Sequence, residues 1–269
     1  MATTFDLFRL DGKTALIIGG ARHLGFDVAT ALAEAGCAVA VTSRDAERAR
    51  DAAGRLQASH GVPALGLALD HRHANEIHAA VDAVARWREG AIDILVNNAG
   101  GGSGKVGGPW LERPAEAIAD LVATNLTGPL LCAQLVARVM VPRRAGKIIN
   151  IASVAGLLGR DRRVYERNGM NPQAVDYAAA KAGVIGMTRD LAGLLSPHGI
   201  CVNAISPGGF ERPAMPRGFV ADYSDRTPLG RMGRDGVDLK GAALFLASAA
   251  SDYVTGHNLV VDGGFSLWR

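Results

Sequence analysis

Short apolar runs alternate with longer stretches of helical periodicity along the whole chain of 269 residues. Between the runs, residues 26–35, 45–59, 75–87, 114–141, 175–195 and 237–248 repeat apolar side chains at the spacing of an amphipathic helix. The runs themselves have the continuous hydrophobic character of strands buried on both faces of a sheet, and they cover residues 14–18, 38–42, 64–68, 92–96, 147–151, 200–205 and 258–262. This alternation, without a linker, predicts one α/β domain over residues 1–269, with a doubly wound, seven-stranded parallel sheet and helices on both faces.

A glycine-containing turn joins the first predicted strand to the first predicted helix. Gly19 permits a tight turn, and Gly25 permits close packing of the helix against the strand. The N-terminus of the helix offers free N–H groups to a pyrophosphate. A glycine turn between a strand and a helix, followed by a second strand, predicts dinucleotide binding.

The end of the second predicted strand bears on the choice of dinucleotide. An acidic residue there would bind the ribose 2′-hydroxyl of NAD, whereas an arginine accommodates the 2′-phosphate of NADP. The strand ends at Ser43 and Arg44, and Arg22 in the turn adds a second cation. We therefore predict NADP(H) as the cofactor. NAD is the alternative, because the adjacent Asp45 offers an acidic side chain for the ribose.

Tyr177 and Lys181 lie four residues apart in a predicted helix, so they share one face of it. A cation held near a phenol favours the phenolate and lowers the pKa of the tyrosine. A tyrosine with a lowered pKa can act as a general acid or base near neutral pH. An ordinary surface contact between the two side chains is the alternative for this pair taken alone.

Several segments leave the carboxyl ends of the predicted strands, where open α/β sheets bind ligands. Residues 101–109 are rich in glycine, and residues 160–171 read as a polar loop. Residues 210–234 are rich in Pro, Arg and Gly with little periodicity, which predicts a mobile lid over a ligand.

Within residues 114–141, Pro129 removes a helical hydrogen bond, so we predict a kink near Asn125.

Arginines are concentrated in two of these segments: Arg160, Arg162, Arg163, Arg212, Arg217 and Arg226. Because arginine recognises carboxylate and phosphate groups, one hypothesis is that some of them face an anionic substrate such as a sugar acid. The alternative is that they pair with nearby carboxylates, which are Asp161, Glu166, Glu211, Asp222 and Asp225.

Composition narrows the classes of function. The chain is 48% hydrophobic with a net charge of +3 and interspersed acids and bases, which argues against nucleic-acid binding. We expect no signal peptide and no membrane span. Asp70 and His71 belong to a group of acids and histidines whose spacing matches no common metal site, so we predict a solvated turn there and no metal. Three buried free thiols, Cys37, Cys132 and Cys201, fit a cytoplasmic protein.

Taken in order, these motifs resemble the short-chain dehydrogenase/reductase family over essentially the whole chain. The carriers are the turn at residues 19–25, Asn97-Asn98-Ala99-Gly100, Asn125, Ser153, Tyr177 with Lys181, Pro207-Gly208 and the tail at residues 254–264. The sequence is most similar to the branch of gluconate 5-dehydrogenase-like and 3-oxoacyl-carrier-protein reductase-like enzymes. The resemblance implies a Rossmann-type domain and a homotetramer.

The resemblance also implies roles for individual residues. The catalytic set would be Asn125, Ser153, Tyr177 and Lys181. Tyr177 would exchange a proton with the substrate oxygen, and Ser153 would hold that oxygen. Lys181 would lower the pKa of Tyr177 and bind the nicotinamide ribose, and Asn125 would fix a relay water. The cofactor-binding set would be Gly19, Arg22, His23, Leu24, Gly25, Ser43, Arg44, Asp70, Asn98, Ala99, Gly100, Tyr177, Lys181, Pro207 and Gly208.

Four features depart from the family pattern. Ile18 replaces a threonine, His23 replaces the middle glycine of the turn, the stretch from Ser153 to Tyr177 is long, and Glu211-Arg212-Pro213 follows Pro207-Gly208 where a threonine is frequent. The resemblance as a whole implies hydride transfer between a nicotinamide cofactor and a hydroxyl or carbonyl group of a small substrate such as a sugar acid or polyol. A 3-oxoacyl-carrier-protein or small-ketone reductase is an alternative, as is a non-catalytic nucleotide-binding sensor or scaffold.

Overall fold

A seven-stranded parallel sheet forms the centre of the computed structural model, which describes residues 3–101 and 110–268. The strand order is β3-β2-β1-β4-β5-β6-β7, and Leu16 of β1 pairs with Ala40 of β2 on one side and Leu95 of β4 on the other. The strands are β1 (Thr14–Ile18), β2 (Ala38–Ser43), β3 (Ala64–Ala68), β4 (Ile94–Asn97), β5 (Gly146–Ile151), β6 (Ile200–Pro207) and β7 (Asn258–Val261). The doubly wound sheet predicted from the apolar runs is confirmed.

Helices cover both faces of the sheet. They are α1 (His23–Glu34), α2 (Ala46–His60), α3 (Ala74–Trp87), α4 (Ala115–Val122), α5 (Gly128–Arg143), α6 (Arg162–Glu166), α7 (Val175–Leu195), α8 (Arg217–Asp225) and α9 (Lys240–Ala247). One core joins α1, α2 and α9 to the sheet through Ile17, and the other joins α3, α5 and α7 to it through Leu16 and Ile18. Successive strand residues point to opposite faces, so one apolar run serves both cores.

Strand order reverses beside β1, because the chain moves outward through β2 and β3 and then returns to place β4 on the opposite side. A reversal of this kind leaves a crevice at the carboxyl ends of β1 and β4, which is where doubly wound sheets bind ligands. Gly19 follows β1 directly and Asn98 follows β4. The topology thus brings the glycine turn and the segment after β4 to one place.

The long helix predicted over residues 114–141 is continuous in the structure but contains a π-helical turn. The turn covers Ala123–Thr127 and separates α4 from α5. Pro129 has no N–H for the carbonyl of Asn125, and a wider turn at this point removes the need for that hydrogen bond. The kink predicted near Asn125 is therefore a π turn, and Asn125 lies inside it.

Two segments predicted without regular structure contain short helices. The polar stretch 160–171 includes α6, and the predicted lid 210–234 includes α8. The segments are tied together by ion pairs of Arg226 with Asp161 at 2.7 Å and Arg167 with Asp222 at 2.7 Å. Apolar packing of Val164, Phe219, Tyr223 and Met232 explains why both segments fold, a tertiary effect that neither segment's own pattern contains.

Some remaining expectations need correction or fall outside the described residues. Cys37 and Cys132 are buried, but Cys201 is only partly buried, and its sulfur lies near the carbonyl of Asp252. The helical stretch Ala115–Arg143 is long and apolar enough to span a membrane by length and composition, and one of its faces packs in the core through Val136 and Met140. Most of the glycine-rich segment 101–109 lies outside the described residues.

Candidate active site

A cleft of about 790 Å³ opens at the carboxyl ends of the strands, beside the reversal of strand order. Every residue predicted to bind the cofactor lines it: Gly19, Arg22, His23, Leu24, Gly25, Ser43, Arg44, Asp70, Asn98, Ala99, Gly100, Tyr177, Lys181, Pro207 and Gly208. Ser153 also lines the cleft. The structure therefore brings together residues that are spread over nearly 190 positions of sequence, from Gly19 to Gly208.

The glycine turn is packed so tightly that only glycine fits at Gly25. A Cβ atom at Gly25 would lie 2.2 Å from the carbonyl oxygen of Gly19 and 2.3 Å from Nδ2 of Asn98. Asn98 donates a hydrogen bond from this amide to the Gly19 carbonyl at 2.9 Å. The turn and the segment after β4 are thereby locked together, which leaves the N-terminus of α1 facing the cleft as a pyrophosphate requires.

His23 takes the backbone conformation that a glycine would take, with φ of +53°. Its backbone is therefore shaped as in a glycine turn, although this conformation is unusual for a residue with a side chain. The imidazole contacts the guanidinium of Arg212, which also pairs with Asp235 at 3.0 Å. Burial and the positive charges of Arg212 and Arg22 lower the pKa of His23. This contact joins the glycine turn to the segment after β6, and the sequence alone does not reveal it.

The end of β2 presents cations to the cleft. Arg44 is exposed and lines the cleft together with Arg48. Asp45 caps α2 by accepting a hydrogen bond from the backbone N–H of Arg48 at 3.1 Å, and its carboxylate pairs with the Arg48 guanidinium at 3.2 Å. Asp45 is thus engaged in its own helix, which weakens the case for a ribose contact. Arg48 is a cleft residue that the sequence prediction missed, although it follows Arg44 by one helical turn.

The segment after β3 is not the solvated turn that was predicted. His71 is buried, and its Nε2 lies 2.7 Å from the carbonyl oxygen of Thr124 in the π turn. Asp70 pairs with Arg72, whose guanidinium holds the pKa of the Asp70 carboxyl well below its usual range and also contacts Asp120. Within residues 3–101 and 110–268, no three His, Cys, Asp or Glu side chains are grouped as a metal site would require.

Tyr177 and Lys181 lie one turn apart on α7, and both side chains are buried. The Lys181 ammonium lies 5.8 Å from the centroid of the Tyr177 ring and donates a hydrogen bond to the carbonyl of Ile151 at 2.6 Å. Burial lowers the pKa of Lys181 to about 8. A lysine that is half neutral near this pH is sensitive to any negative charge that approaches it.

The pKa of Tyr177 is raised in this structure, whereas the sequence argument expected it to be lowered. Burial is the largest cause, and it outweighs the opposing effects of a hydrogen bond with Ser153, the charge of Arg160 and a hydrogen bond with Gln173. A buried phenol keeps its proton, so it can donate that proton to a substrate oxygen. Gln173 is a neighbour of Tyr177 that the sequence prediction missed, because no motif marks it.

Asn125 lies behind the cleft, fully buried in the π turn. Its amide accepts a hydrogen bond from the backbone N–H of Gly101 at 2.8 Å and donates to the carbonyls of Gly101 at 3.1 Å and Leu121 at 3.0 Å. A Cβ atom at Gly100 would lie 2.6 Å from Oδ1 of Asn125, so Gly100 allows this close approach. In this structure Asn125 anchors the segment after β4.

A chain of hydrogen bonds between buried side chains connects β4 and β5 to α7. Asn97 of β4 donates to Oδ1 of Asn150 on β5 at 2.9 Å, and Asn150 donates to the Thr188 hydroxyl on α7 at 3.0 Å. Buried polar groups that are paired in this way fix the relative positions of the elements that carry them. These amides therefore link β4 and β5 to the helix of Tyr177.

A second cavity of about 830 Å³ lies on the far side of Tyr177. Both cavities share Ser153, Gln173, Tyr177 and Gly208 in their walls. The outer walls come from the segments that carry α6 and α8 and from the tail at Phe265 and Trp268. Two cavities that meet at one tyrosine provide separate places for a cofactor and for a substrate.

Comparison with known proteins agrees with this arrangement. A family model described as enoyl-(acyl carrier protein) reductase matches residues 19–266. The 5-keto-D-gluconate 5-reductase of Escherichia coli K12 is 40% identical over 96% of this chain and 97% of its own length. A 3-oxoacyl-[acyl-carrier-protein] reductase of Aquifex aeolicus is 34% identical over 95% of this chain and 98% of its own.

Solved structures show the same fold. The gluconate 5-dehydrogenase of Burkholderia cenocepacia J2315, crystallised with NADP and tartrate, superposes with a TM-score of 0.88 at 38% identity and covers 99% of this chain and 100% of its own. Similarity of this extent in sequence and structure includes the strands, the turn and the helix of Tyr177. The chain thus belongs to the short-chain dehydrogenase/reductase family and is a nicotinamide-dependent oxidoreductase that acts on CH–OH or C=O groups.

Proposed function

We propose that the protein is an NADP(H)-dependent enzyme that interconverts a keto group and a hydroxyl group on a small sugar acid or polyol. The observation that carries the proposal is the position of Tyr177, which lies with Ser153 where the cofactor cleft and the second cavity meet. A nicotinamide bound in the cleft would supply or accept hydride at the substrate carbon. The chain itself then has to position the substrate oxygen and move one proton.

Each of the catalytic residues has a separate task in this proposal. Tyr177 donates its proton to the substrate oxygen in the reduction and accepts it in the oxidation. Ser153 lies beside Tyr177 in the wall that the two cavities share, and it holds the same substrate oxygen. Lys181 supplies a buried positive charge that favours the phenolate form of Tyr177. Asn125 is proposed to hold a relay water once the contacts of its amide with Gly101 rearrange.

NADP(H) is favoured over NAD(H) by the charges at the end of β2. Arg44 and Arg48 line the cleft there, while Asp45 is engaged as the cap of α2. Two guanidinium groups suit the 2′-phosphate that distinguishes NADP from NAD. The related gluconate 5-dehydrogenase was crystallised with NADP, which supports the same choice.

A sugar acid or polyol is favoured by the relatives and by one arginine of the second cavity, Arg160. The name of the Escherichia coli relative points to a keto sugar acid. Most of the arginines in the two outer segments are paired or exposed: Arg163 and Arg226 bind Asp161, Arg212 binds Asp235, and Arg162 and Arg217 are exposed. Only Arg160 among the six lies over Tyr177.

An acyl-carrier or small-ketone reductase is the second candidate. The observation in its favour is the apolar wall of the second cavity, where Val164, Phe219, Tyr223 and Met232 are buried. A hydrocarbon chain would suit such a wall better than a row of hydroxyl groups.

We also propose that the protein is a cytoplasmic homotetramer built from one domain per chain, with residues 210–234 as the lid of the substrate cavity. Support for association comes from α7, which exposes the small residues Ala179, Ala182 and Gly186, and from the tail, where Val260 and Trp268 are exposed. Small residues let two helices approach closely across a two-fold axis.

Support for the lid comes from Met215 and Phe219 of residues 210–234, which line the second cavity.

A panel of substrates and both cofactors tests the proposed function. NADPH and NADH oxidation would be followed with 5-keto-D-gluconate, a neutral ketose and an acetoacetyl thioester. We expect kcat/KM to be highest for the pair of NADPH and a keto sugar acid or ketose. A preference for the thioester would favour the second candidate. Binding of cofactor without turnover of any compound, or a preference for NADH, would contradict the proposal.

A further inference from the structure

Arg160 is a half-buried cation in the wall of the second cavity, close to the reacting tyrosine. Its guanidinium carbon lies 5.5 Å from the centroid of the Tyr177 ring. Two of its N–H groups donate to Gln173, one to the backbone carbonyl at 2.8 Å and one to the side-chain oxygen at 3.0 Å. The guanidinium is therefore held in place from one side, and it has further N–H groups to offer.

No carboxylate neutralises Arg160 in the part of the chain that the structure describes. The ion pairs formed by Arg163 and Arg226 in the same wall both go to Asp161. Burial lowers the pKa of Arg160, and the groups that act on its charge are the phenols of Tyr165 and Tyr177 and the cation of Arg162. A cation that is partly removed from water without a counter-ion is costly, and that cost falls when an anion binds beside it.

We infer that Arg160 binds the carboxylate of the substrate, and that the enzyme selects small hydroxy and keto acids over their neutral analogues through this residue. The planar guanidinium suits bidentate recognition of a carboxylate. Its position over the Tyr177 ring lets one small molecule reach Arg160 with its carboxylate and Tyr177 with its reacting oxygen. This inference rests on the proposed function, because it takes the second cavity as the substrate site.

Arg160 and its partner Gln173 belong to a segment that packing holds in place. Both lie in the stretch between Ser153 and Tyr177. This stretch contains α6, which packs on α8, so Arg160 and Gln173 stand at the two ends of a fixed segment. The carboxylate of Asp161 in the same wall is paired with Arg163 and Arg226, which offsets its repulsion of a substrate anion.

Binding to the Arg160→Gln variant tests the inference without requiring turnover. Isothermal titration would measure the Kd of D-gluconate and of neutral sorbitol on enzyme saturated with NADPH, so that gluconate cannot be oxidised. We expect wild type to bind gluconate more tightly than sorbitol. Arg160→Gln should weaken gluconate binding by at least about tenfold, in line with the loss of charge-assisted hydrogen bonds, and change sorbitol binding by less than about twofold.

The Arg162→Gln variant is the matched control, because it removes the same charge two residues away from an exposed position. It should leave both Kd values within about twofold of wild type, as expected for a screened surface charge. If Arg160→Gln does not fold, Arg160→Lys keeps the charge without the guanidinium fork and should still weaken gluconate binding selectively.

Several results would overturn the inference. An equal loss of affinity for both ligands would assign Arg160 to the structure of the segment, and unchanged affinity for gluconate would remove it from the site. A pH profile for turnover that shifts equally with acidic and neutral substrates, with unchanged binding, would mean that Arg160 acts only on Tyr177. Selective loss of gluconate binding in an enzyme that oxidises neither compound would contradict the proposed function instead, and would leave the role of Arg160 standing.

Discussion

At the scale of single residues, the site depends on two buried ionisable groups that burial shifts in opposite directions. Burial raises the pKa of the Tyr177 phenol and lowers that of the Lys181 ammonium. Both shifts favour the neutral forms, so burial keeps the proton on Tyr177. Lys181 has only a backbone carbonyl, that of Ile151, as its hydrogen-bond partner among the described residues. Burial of the Lys181 charge beside Tyr177 therefore serves catalysis but lowers the stability of the fold.

The lowered pKa of Lys181 predicts a pH-dependent stability. Its folded-state pKa is about 8, against an ordinary value of 10.5. Below pH 8 both folded and unfolded chains hold the proton, so the full cost of burying the charge is present. Between about pH 8 and 10.5 the unfolded chain binds more protons than the folded chain, so this cost is relieved as the pH rises.

Lys181→Met removes the charge at every pH, so it tests whether stability changes with pH in the predicted direction. In cofactor-free protein, we expect the variant's stability relative to wild type to be greatest at pH 7. Its relative stability should fall by up to about 3 kcal/mol as the pH approaches 10, since 1 pKa unit corresponds to about 1.4 kcal/mol. Urea midpoints at pH 7, 8, 9 and 10 measure it. A difference that stays constant or grows with pH would contradict the pKa assigned to Lys181.

Motifs with a local chemical signature could be located from the sequence, and contacts made at a distance could not. Tyr177 and Lys181 are one helical turn apart, so their proximity follows from their spacing. The contact of His23 with Arg212 joins residues 189 positions apart in sequence, and the burial of His71 depends on the π turn. The raised pKa of Tyr177 also escaped prediction, because burial depends on packing that the motif does not specify.

At the scale of elements, the junction of β1 and α1 determines the shape of the cofactor cleft. Gly25 brings the first turn of α1 against the Gly19 carbonyl and the Asn98 amide. The predicted bounds of β1 and β3 match the observed ones, and those of the other five strands differ by one or two residues, because strands end where pairing ends. The kink near Asn125 was predicted from Pro129, but its form as a π turn was not, since a proline also permits an ordinary bend.

Gly25→Ala tests the junction, with Gly54→Ala as its control. The added methyl at Gly25 would lie within 2.3 Å of two neighbouring groups, so we expect a loss of about 1–3 kcal/mol in stability and a large loss of NADPH affinity. Gly54 lies in α2 with no atom within 4 Å of an added Cβ, so alanine there should stabilise the protein by about 0.5–1 kcal/mol.

Urea unfolding and fluorescence titration with NADPH measure the two effects. The prediction is wrong if Gly25→Ala binds NADPH with wild-type affinity. It is also wrong if both alanine variants lose affinity to the same extent.

At the scale of the whole molecule, the reversal of strand order brings the residues of the cleft together. The exposed small and apolar side chains of α7 and of the tail support the proposed tetramer. Alternation of strands and helices was sufficient to predict the doubly wound sheet, because few topologies satisfy right-handed crossovers and buried parallel strands. The second cavity could not be predicted in the same way. Its walls come from two segments whose short helices depend on each other and on the tail at Phe265, which stacks on Tyr223.

The proposed tetramer predicts a mass of about 112 kDa, which is four times the chain mass of 28.0 kDa, by light scattering at micromolar concentration. Gly186→Glu would place a charge on the exposed face of α7 and should lower the mass, because burying an unpaired charge is costly. Gly54→Glu adds the same charge on the exposed surface of α2 and should leave the mass unchanged. A wild-type mass near 28 kDa would contradict the assembly.

The central claim is that Tyr177 transfers the proton in an NADP(H)-dependent reduction of a carbonyl group. The most direct measurement is the steady-state rate of NADPH oxidation by Tyr177→Phe with 5-keto-D-gluconate, beside the affinity of the same variant for NADPH. The account predicts NADPH affinity within about twofold of wild type and a fall in kcat of at least about 100-fold, since positioned acid–base groups contribute 10²–10⁴-fold. A variant that binds NADPH normally and retains more than about a tenth of the wild-type kcat would contradict it.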